Sequence, residues 1–128
     1  MGQVSLRGLR KSYDKAEVIK GVDLHVKRGE IVGIAGLMGA GRTEFAMSVF
    51  GRAWGQRISG EVRLHGQPVD VGTVGKAVAH GLAYVTEDRK GNGLVLAEDI
   101  QFNTSLAHLG AVSRAGIIDD GREYRVAQ

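Results

Sequence analysis

Cysteine is absent from the 128-residue sequence. Its absence excludes a disulfide scaffold, a zinc site with cysteine ligands and a cysteine nucleophile. The four histidines are scattered along the chain, which argues against a histidine metal cluster. Proline is also scarce, with one residue, whereas glycine is abundant, with 20. This is roughly twice the usual glycine share of about 7 %, and it indicates tight turns and close backbone approach rather than a linker.

Long apolar runs and blocks of like charge are missing as well. No stretch approaches the roughly 18 apolar residues of a membrane span, and the first residues do not have the pattern of a secretory signal. The formal net charge of +3 is small and spread along the chain, which gives no footprint for nucleic acid. We therefore expect a soluble, cytoplasmic domain without a nucleic-acid partner.

The hydrophobic pattern predicts a mixture of strands and helices. Alternating apolar and polar residues predict half-buried strands at 4–9 and 22–26, joined by a polar turn around residues 13–15. Nearly continuous apolar runs at 31–35 and 82–86 predict strands buried on both faces, as in a parallel sheet. The remaining predicted elements are a half-buried strand at 61–65 and helices at 42–50, 71–80 and 98–109.

A glycine-rich segment lies between the predicted strand at 31–35 and the predicted helix at 42–50, and it reads Gly36-Leu37-Met38-Gly39-Ala40-Gly41-Arg42-Thr43. It fits the phosphate-loop pattern, in which glycines let successive N–H groups wrap a phosphate and a helix N-terminus adds its dipole. Arg42 stands where the pattern has lysine, and its charge need not fall where a lysine ammonium would lie. The Thr43 hydroxyl is a candidate Mg²⁺ ligand.

One other interpretation of this segment is open, a strand-to-helix turn whose glycines only permit close packing. A dinucleotide-binding loop that uses Gly39 and Gly41 is discounted, because it needs a glycine at position 44, where the sequence has Glu44. The flanking strand and helix favour the phosphate loop, because its mechanism requires both.

Residues 117–120, Ile-Ile-Asp-Asp, faintly resemble a strand end that presents a Mg²⁺-binding aspartate. Only two large apolar residues precede Asp119, and Gly121 follows Asp120, so a turn with a helix cap at Asp119 or Asp120 is favoured. A helix that begins there reaches the end of the chain after about two turns. We therefore expect a truncated domain.

Two segments together resemble one group of proteins: residues 36–44, Gly-Leu-Met-Gly-Ala-Gly-Arg-Thr-Glu, and residues 84–96, Tyr-Val-Thr-Glu-Asp-Arg-Lys-Gly-Asn-Gly-Leu-Val-Leu. From Val4 to about Glu123 the sequence is similar to the N-terminal half of the second nucleotide-binding domain in the ATPase subunit of ABC-type monosaccharide importers (the ribose, galactose and xylose group). The resemblance implies an α/β P-loop NTPase fold, with an antiparallel β-hairpin region and a mixed sheet that contains the phosphate-loop strand and helix.

The resemblance also implies the cofactors, ATP and Mg²⁺, and their ligands. Tyr13 matches the aromatic residue that stacks on adenine, and Glu87 occupies the position where most ABC ATPases have a glutamine that contacts Mg²⁺ and the attacking water. Glu87 is thus a candidate catalytic residue, and Thr43 and Glu87 are the candidate metal ligands. The alternative for Tyr13 is an ordinary hairpin aromatic, and the alternative for Glu87 is a solvated loop acid. The implied ATP-binding residues are Tyr13, Gly36, Gly39, Ala40, Gly41, Arg42, Thr43 and Glu44.

In the family pattern, residues 1–87 belong to the ATP-binding core and residues 88–128 begin the helical subdomain. The sequence contains no Leu-Ser-Gly-Gly signature, no strong Walker B strand and no switch histidine. The resemblance implies a parent protein that couples ATP binding and hydrolysis to monosaccharide import, with a degenerate phosphate loop at this site and an inactive isolated chain. A non-hydrolysing nucleotide-binding or regulatory module is the alternative, and a small kinase is disfavoured because neither acceptor site nor lid is recognisable.

The implied partners are membrane permease subunits, a tandem first nucleotide-binding domain of the same subunit and, indirectly, a periplasmic sugar-binding protein. The implied location is the cytoplasmic face of a bacterial cell membrane. Because a sheet without a Walker B strand exposes an apolar edge beside residues 31–36, we also expect the chain to self-associate or to be marginally stable.

Overall fold

The computed structural model describes residues 2–13, 16–52 and 56–128. The chain forms two compact units, Met1–Tyr84 and Val85–Gln128. No helix in the described ranges is long and apolar enough to cross a membrane.

The first unit is built on a four-stranded antiparallel sheet with the strand order β2-β1-β3-β4. The strands are β1 (Val4–Tyr13), β2 (Ala16–Val26), β3 (Gln56–Leu64) and β4 (Gln67–Pro68). The predicted hairpin of β1 and β2 is confirmed, and both strands are longer than their alternating segments. Of the turn predicted around residues 13–15, positions 14 and 15 lie outside the described residues.

A β-bulge in β1 directs two leucines into the same core. The register shifts between Leu6 and Leu9, and the intervening Gly8 has a φ of +57° and donates its N–H to Oδ1 of Asp23 over 2.6 Å. In a regular strand, residues three apart point to opposite faces. The bulge changes this alternation, so that Leu6 and Leu9 are both buried.

Two helices contribute to the first unit, α1 (Arg42–Val49) and α2 (Val74–Ala79). Both were expected from the sequence, although α2 is shorter than predicted. Thr73 caps α2, because its side chain accepts the N–H of Lys76 over 3.2 Å. The buried core residues are Leu6, Leu9, Ile19, Val62, Val71 and Ala77, with Phe45, Val49 and Phe50 packed against them.

The two strands predicted to be buried on both faces are not formed. Residues 31–37 and 82–86 have no regular secondary structure, and Ile31 and Val85 are 97 % and 91 % exposed. Such a strand needs hydrogen-bonded neighbours on both edges. None of the described strands pairs with either segment. In the described residues the phosphate-loop strand of the expected mixed sheet is therefore not formed, and the larger sheet is entirely antiparallel.

The second unit is mainly helical. The helix predicted at 98–109 is interrupted by a tight 3₁₀ turn at Leu106–His108 and continues beyond Gly110. The cap predicted at Asp119 is confirmed, since its side chain accepts the N–H of Arg122 over 3.0 Å. The regular elements are α3 (Ile100–Ser105), α4 (Leu109–Val112), β5 (Ser113–Arg114), β6 (Ile117–Ile118) and α5 (Asp120–Ala127).

A buried carboxylate joins α3 to α5. Glu123 on α5 is 7 % exposed. Its Oε1 accepts the Ser105 hydroxyl over 2.5 Å, and its Oε2 accepts Nε2 of Gln101 over 3.0 Å. Both oxygens therefore have donors, as a buried carboxylate requires.

Candidate functional site

The glycine-rich segment 36–41 forms the loop that enters α1. Gly39 and Gly41 have φ angles of +79° and +81°, in the left-handed region where residues with a Cβ are strained. A Cβ on Gly36 would lie 2.8 Å from the Cβ of Ala40. The sequence-based prediction of a glycine loop before a helix is confirmed in its conformation.

The N-terminus of α1 opens directly from this loop. The amide of Ala40 donates to the carbonyl of Leu37 over 3.0 Å, which closes a turn, and the amide of Phe45 donates to the carbonyl of Gly41 over 2.8 Å, which begins the helix. In the described part of the chain, no side chain caps the first turn of α1. The positive end of the helix dipole is therefore available to an anion from outside.

Three polar side chains begin α1. Arg42 is exposed, whereas Thr43 and Glu44 are half-buried. Arg42 brings a permanent positive charge next to the loop amides. Glu44 lies in the first turn, where a carboxylate interacts favourably with the helix dipole. A cation, a hydroxyl and backbone amides beside one another are the chemical groups that bind phosphate.

Val18 on β2 is a neighbour of the loop that sequence reasoning missed. A Cβ added to Gly41 would lie 3.2 Å from Cγ1 of Val18, so the strand and the loop approach each other closely. The side chain of Val18 is 38 % exposed. Its position in an ordinary alternating strand carries no signal that distinguishes it from other valines.

A cavity of about 560 Å³ lies beside the loop. β2 lines one side of it, and residues 32–35 and 40–42 line the other. The residues that line the cavity are mostly apolar, and the volume of the cavity falls in the range of small-molecule sites. A second cavity of about 300 Å³ lies between Ile34, α1 and residues 82–84. The segment expected to form the phosphate-loop strand thus faces open apolar space.

Lys11 on β1 is the largest fully buried side chain in the described chain, with no exposed surface. Its Nζ donates to the backbone carbonyl of Glu44 over 3.1 Å. Burial lowers the pKa of Lys11, and the nearby Glu44 carboxylate partly opposes this effect. One feature of the sequence indicates the burial of Lys11: it lies two positions after the core residue Leu9, and residues two apart in a strand point to the same face.

The two remaining predicted site residues, Tyr13 and Glu87, lie outside the segment 36–44. Tyr13 ends β1, where its backbone pairs with Ala16, and its side chain lies outside the described residues. Glu87 is exposed and belongs to the second unit. A Mg²⁺ site shared by Thr43 and Glu87 stays a prediction. Within the described ranges, no group of three or more acidic or histidine side chains is arranged to hold a metal.

Asp88 organises the turn that follows Glu87. Its Oδ1 accepts the amide of Gly91 over 2.9 Å, and its own amide donates to Oγ1 of Thr86 over 3.2 Å. A Cβ on Gly91 would collide with the Asp88 carboxylate. The side chain of Asp88 therefore stabilises the turn Arg89–Gly93.

Asn103 fixes the connection that leads into α3. Its Oδ1 accepts the amide of Val95 over 2.8 Å, while its Nδ2 donates to the carbonyls of Val95 and Asp99 over 3.1 and 2.8 Å. The side chain of Asn103 thereby supplies hydrogen-bond partners for the backbone of the irregular segment that precedes α3. The sequence marks Asn103 only as part of a glycosylation-acceptor pattern, Asn103-Thr104-Ser105, which gives no indication of this role.

Comparisons with known proteins place these features in one family. The sequence model described as ABC transporter matches residues 19–123. The L-arabinose transport ATP-binding protein AraG of Geobacillus stearothermophilus is 56 % identical over 111 residues, which are 87 % of this chain and 22 % of that protein. The xylose import ATP-binding protein XylG of Thermoanaerobacter pseudethanolicus is 43 % identical over 112 residues, covering 88 % of this chain and 22 % of the relative.

A third relative, the ribose import ATP-binding protein RbsA of Pseudomonas putida, is 42 % identical over 120 residues, or 94 % of this chain and 22 % of that protein. The chain thus spans about a fifth of the length of these curated relatives. Because the family match covers most of the chain and includes both the glycine loop and α1, the chain belongs to the ABC transporter family, with its P-loop NTPase domain.

Proposed function

We propose that residues 36–44 bind the phosphates of ATP, as part of a protein that couples ATP to monosaccharide import. The observation that carries this proposal is the loop with left-handed Gly39 and Gly41, which opens into the uncapped N-terminus of α1 in a chain of the ABC transporter family. An anion placed there meets backbone amides, the helix dipole and the guanidinium of Arg42 at once.

The residues present fit a nucleotide. Residues 36–40 are exposed, and a side chain at Gly36 would collide with Ala40, so the loop conformation requires glycine there. Bound ATP would supply a γ-phosphoryl group open to in-line attack by water, with Mg²⁺ neutralising its charge. Of the chain's own residues, the proposed ligands are Tyr13 for the base and Thr43 and Glu87 for the metal. The phosphates would meet the guanidinium of Arg42 and backbone N–H groups of the other proposed ATP-binding residues, Gly36, Gly39, Ala40, Gly41 and Glu44.

The site is proposed to bind nucleotide more readily than it hydrolyses it. Arg42 is exposed, and its forked guanidinium presents its charge differently from a lysine ammonium. A carboxylate at Glu87 is a stronger Mg²⁺ ligand than an amide, but it also repels the γ-phosphate. A non-hydrolysing, regulatory role for this site follows, and we expect the 128-residue chain alone to be inactive as an ATPase.

The proposed setting follows from the relatives, whose names describe arabinose, xylose and ribose transport. In that setting, residues 1–87 belong to the ATP-binding core and residues 88–128 to the start of a helical subdomain. The partners would be permease subunits, a tandem nucleotide-binding domain and, indirectly, a periplasmic sugar-binding protein. The protein would then work at the cytoplasmic face of a bacterial cell membrane.

A matched pair of glycine substitutions tests the phosphate loop. Gly39 and Gly29 have nearly equal φ angles of +79° and +75°, and at each position a Cβ would meet no described atom within 4 Å. Gly39→Ala and Gly29→Ala therefore cost similar backbone strain. We expect Gly39→Ala alone to weaken Mg·ATP binding, measured by titration calorimetry. Equal effects of the two variants, or no saturable binding by the unsubstituted protein, would contradict the proposal.

Arg42→Lys tests the proposed limit on hydrolysis. In the protein at its full natural length, a lysine restores the point charge of the usual phosphate loop, so the rate of ATP hydrolysis should rise. The change is measured as phosphate release at saturating Mg·ATP. Arg42→Gln, which keeps hydrogen-bond donors without charge, should leave hydrolysis at or below its original rate. An unchanged rate in Arg42→Lys would show that Arg42 is not what limits hydrolysis.

A further inference from the structure

Lys11 is a buried cation that the proposed nucleotide site does not use. Its side chain has no exposed surface, and its Nζ donates to the Glu44 carbonyl over 3.1 Å, from β1 to the first turn of α1. Burying an ammonium is unfavourable unless it is hydrogen-bonded and paired with opposite charge. The Glu44 carbonyl supplies a hydrogen bond, and the nearby Glu44 carboxylate partly offsets the cost of burial. This lysine therefore ties the position of α1 to that of β1.

The two ends of this bridge lie next to the two proposed parts of the nucleotide site. Lys11 precedes Tyr13, the proposed base contact, by two residues on β1. Glu44 directly follows Thr43 at the start of α1. Lys11 also pairs in register with Ile19 on β2, and Ile19 belongs to the buried core. The end of the hairpin and the start of the helix are thus connected by one side chain inside the core.

We propose that Lys11 is a positioning residue, which holds the first turn of α1 in place relative to the end of the β1–β2 hairpin. This inference rests on the proposed nucleotide-binding function. With the bridge in place, a single ATP engages the base contact and the phosphate loop together, without moving either of them. Preorganisation of this kind raises affinity by removing the cost of ordering two separate contacts.

Lys11→Met removes the ammonium and keeps an unbranched apolar side chain. The Glu44 carbonyl is not left without a donor in this variant, because the Ser48 hydroxyl also donates to it over 2.6 Å. Ser48→Ala is the matched control, because it removes the other side-chain donor to the same carbonyl. That second bond runs within α1 and connects nothing to β1.

The test compares Mg·ATP with inorganic tripolyphosphate, which has the phosphates but lacks the base and ribose. Titrations use the protein at its full natural length. Any second nucleotide site adds the same background to every isotherm, because all the substitutions lie in this site. Lys11→Met should weaken Mg·ATP binding about tenfold, because the base contact and the phosphate loop must then be ordered separately on binding. Tripolyphosphate binding should stay within about twofold, the usual scatter of independent sites, and Ser48→Ala should leave the ratio of the two affinities unchanged.

A double-mutant cycle separates positioning from a general loss of structure. Tyr13→Ala should weaken Mg·ATP binding in the unsubstituted protein and weaken it much less in the Lys11→Met background, because the base contact and the loop are then already uncoupled. A purely structural role of Lys11 would instead lower the affinity for both ligands equally. Should Lys11→Met fail to fold, the neutral donor variant Lys11→Gln takes its place in the same cycle.

The outcomes are distinct. Selective loss of Mg·ATP affinity together with coupling to Tyr13 supports the positioning role. Saturable Mg·ATP binding that Lys11→Met leaves unchanged, or that it weakens in parallel with tripolyphosphate binding, overturns the role of Lys11 and leaves the nucleotide site standing. Absence of saturable Mg·ATP binding by the unsubstituted protein overturns the proposed function itself, and this inference with it.

Discussion

Val18 on β2 packs directly against Gly41 at the start of α1, where a Cβ on the glycine would lie 3.2 Å from Cγ1 of the valine. The contact joins the outer strand of the sheet to the glycine loop. It explains in part why Gly41 is buried although the loop residues before it are exposed. The conformation of the loop therefore depends on β2 as well as on its own glycines.

Val18→Ala should loosen the loop and weaken Mg·ATP binding about fivefold, or about 1 kcal/mol. Val22→Ala is the matched control, since Val22 lies on the same strand and is 37 % exposed against 38 % for Val18. The measurement is titration calorimetry on both variants. A loss of affinity of the same size in Val22→Ala would contradict a specific role for the contact with Gly41.

Ser105→Ala should destabilise the second unit by about 1–2 kcal/mol, because it removes one of the two hydrogen-bond donors described above for the buried Glu123 carboxylate. Thr104→Ala removes a neighbouring hydroxyl that donates to the Ile100 carbonyl within α3, and it should cost no more than about 0.5 kcal/mol. Hydrogen exchange of the amides in residues 85–128 measures both changes. Equal protection in the two variants would show that the Ser105 bond contributes nothing.

The stability contributed at Lys11 should rise with pH. Burial lowers the pKa of Lys11 from 10.5, against the opposing charge of Glu44. Between the lowered pKa and 10.5, the unfolded chain binds more protons than the folded one, so the free energy of unfolding increases with pH. Urea unfolding from neutral pH to 10.5 should favour the unsubstituted chain progressively over Lys11→Met. Parallel pH curves for the two proteins would contradict the lowered pKa.

The 128-residue chain should self-associate through the apolar segment at 31–35. Ile31 is 97 % exposed and Ile34 50 % exposed, in an irregular stretch whose backbone pairs with none of the described strands. Ile31→Lys should reduce association in sedimentation velocity. Ile100→Lys, at an 81 % exposed position on α3, should not. A monomer at high concentration, or equal effects of the two lysines, would rule out this segment as the contact.

Local signals in the sequence predicted local structure well. The β1–β2 hairpin follows from alternation, and the Asp119 cap follows from a short polar residue before a helix. The glycine loop before α1 also follows, because its conformation needs glycines at fixed spacing. The resemblance to ABC ATPases, carried by residues 36–44 and 84–96, is confirmed at the level of the family.

Features that depend on distant partners were not predictable in the same way. The apolar run at 31–35 favours burial of this segment. A strand also needs neighbouring strands for its backbone hydrogen bonds, and none of the described strands pairs with these residues. The buried position of Lys11 depends on α1, which lies more than thirty residues further along the chain. The roles assigned to Tyr13 and Glu87 stay predictions.

The central claim is that the amides of residues 36–44 receive the phosphates of ATP. Its most direct test is ¹⁵N-resolved NMR of the labelled protein during titration with Mg·ATP. We predict saturable shifts that are largest at the amides of Gly36, Gly39, Gly41 and Arg42, with Gly29 and Gly66 unmoved as glycines of the same left-handed conformation outside the loop. Saturable binding that leaves these four amides unshifted, or the absence of any saturable shift, would contradict the account.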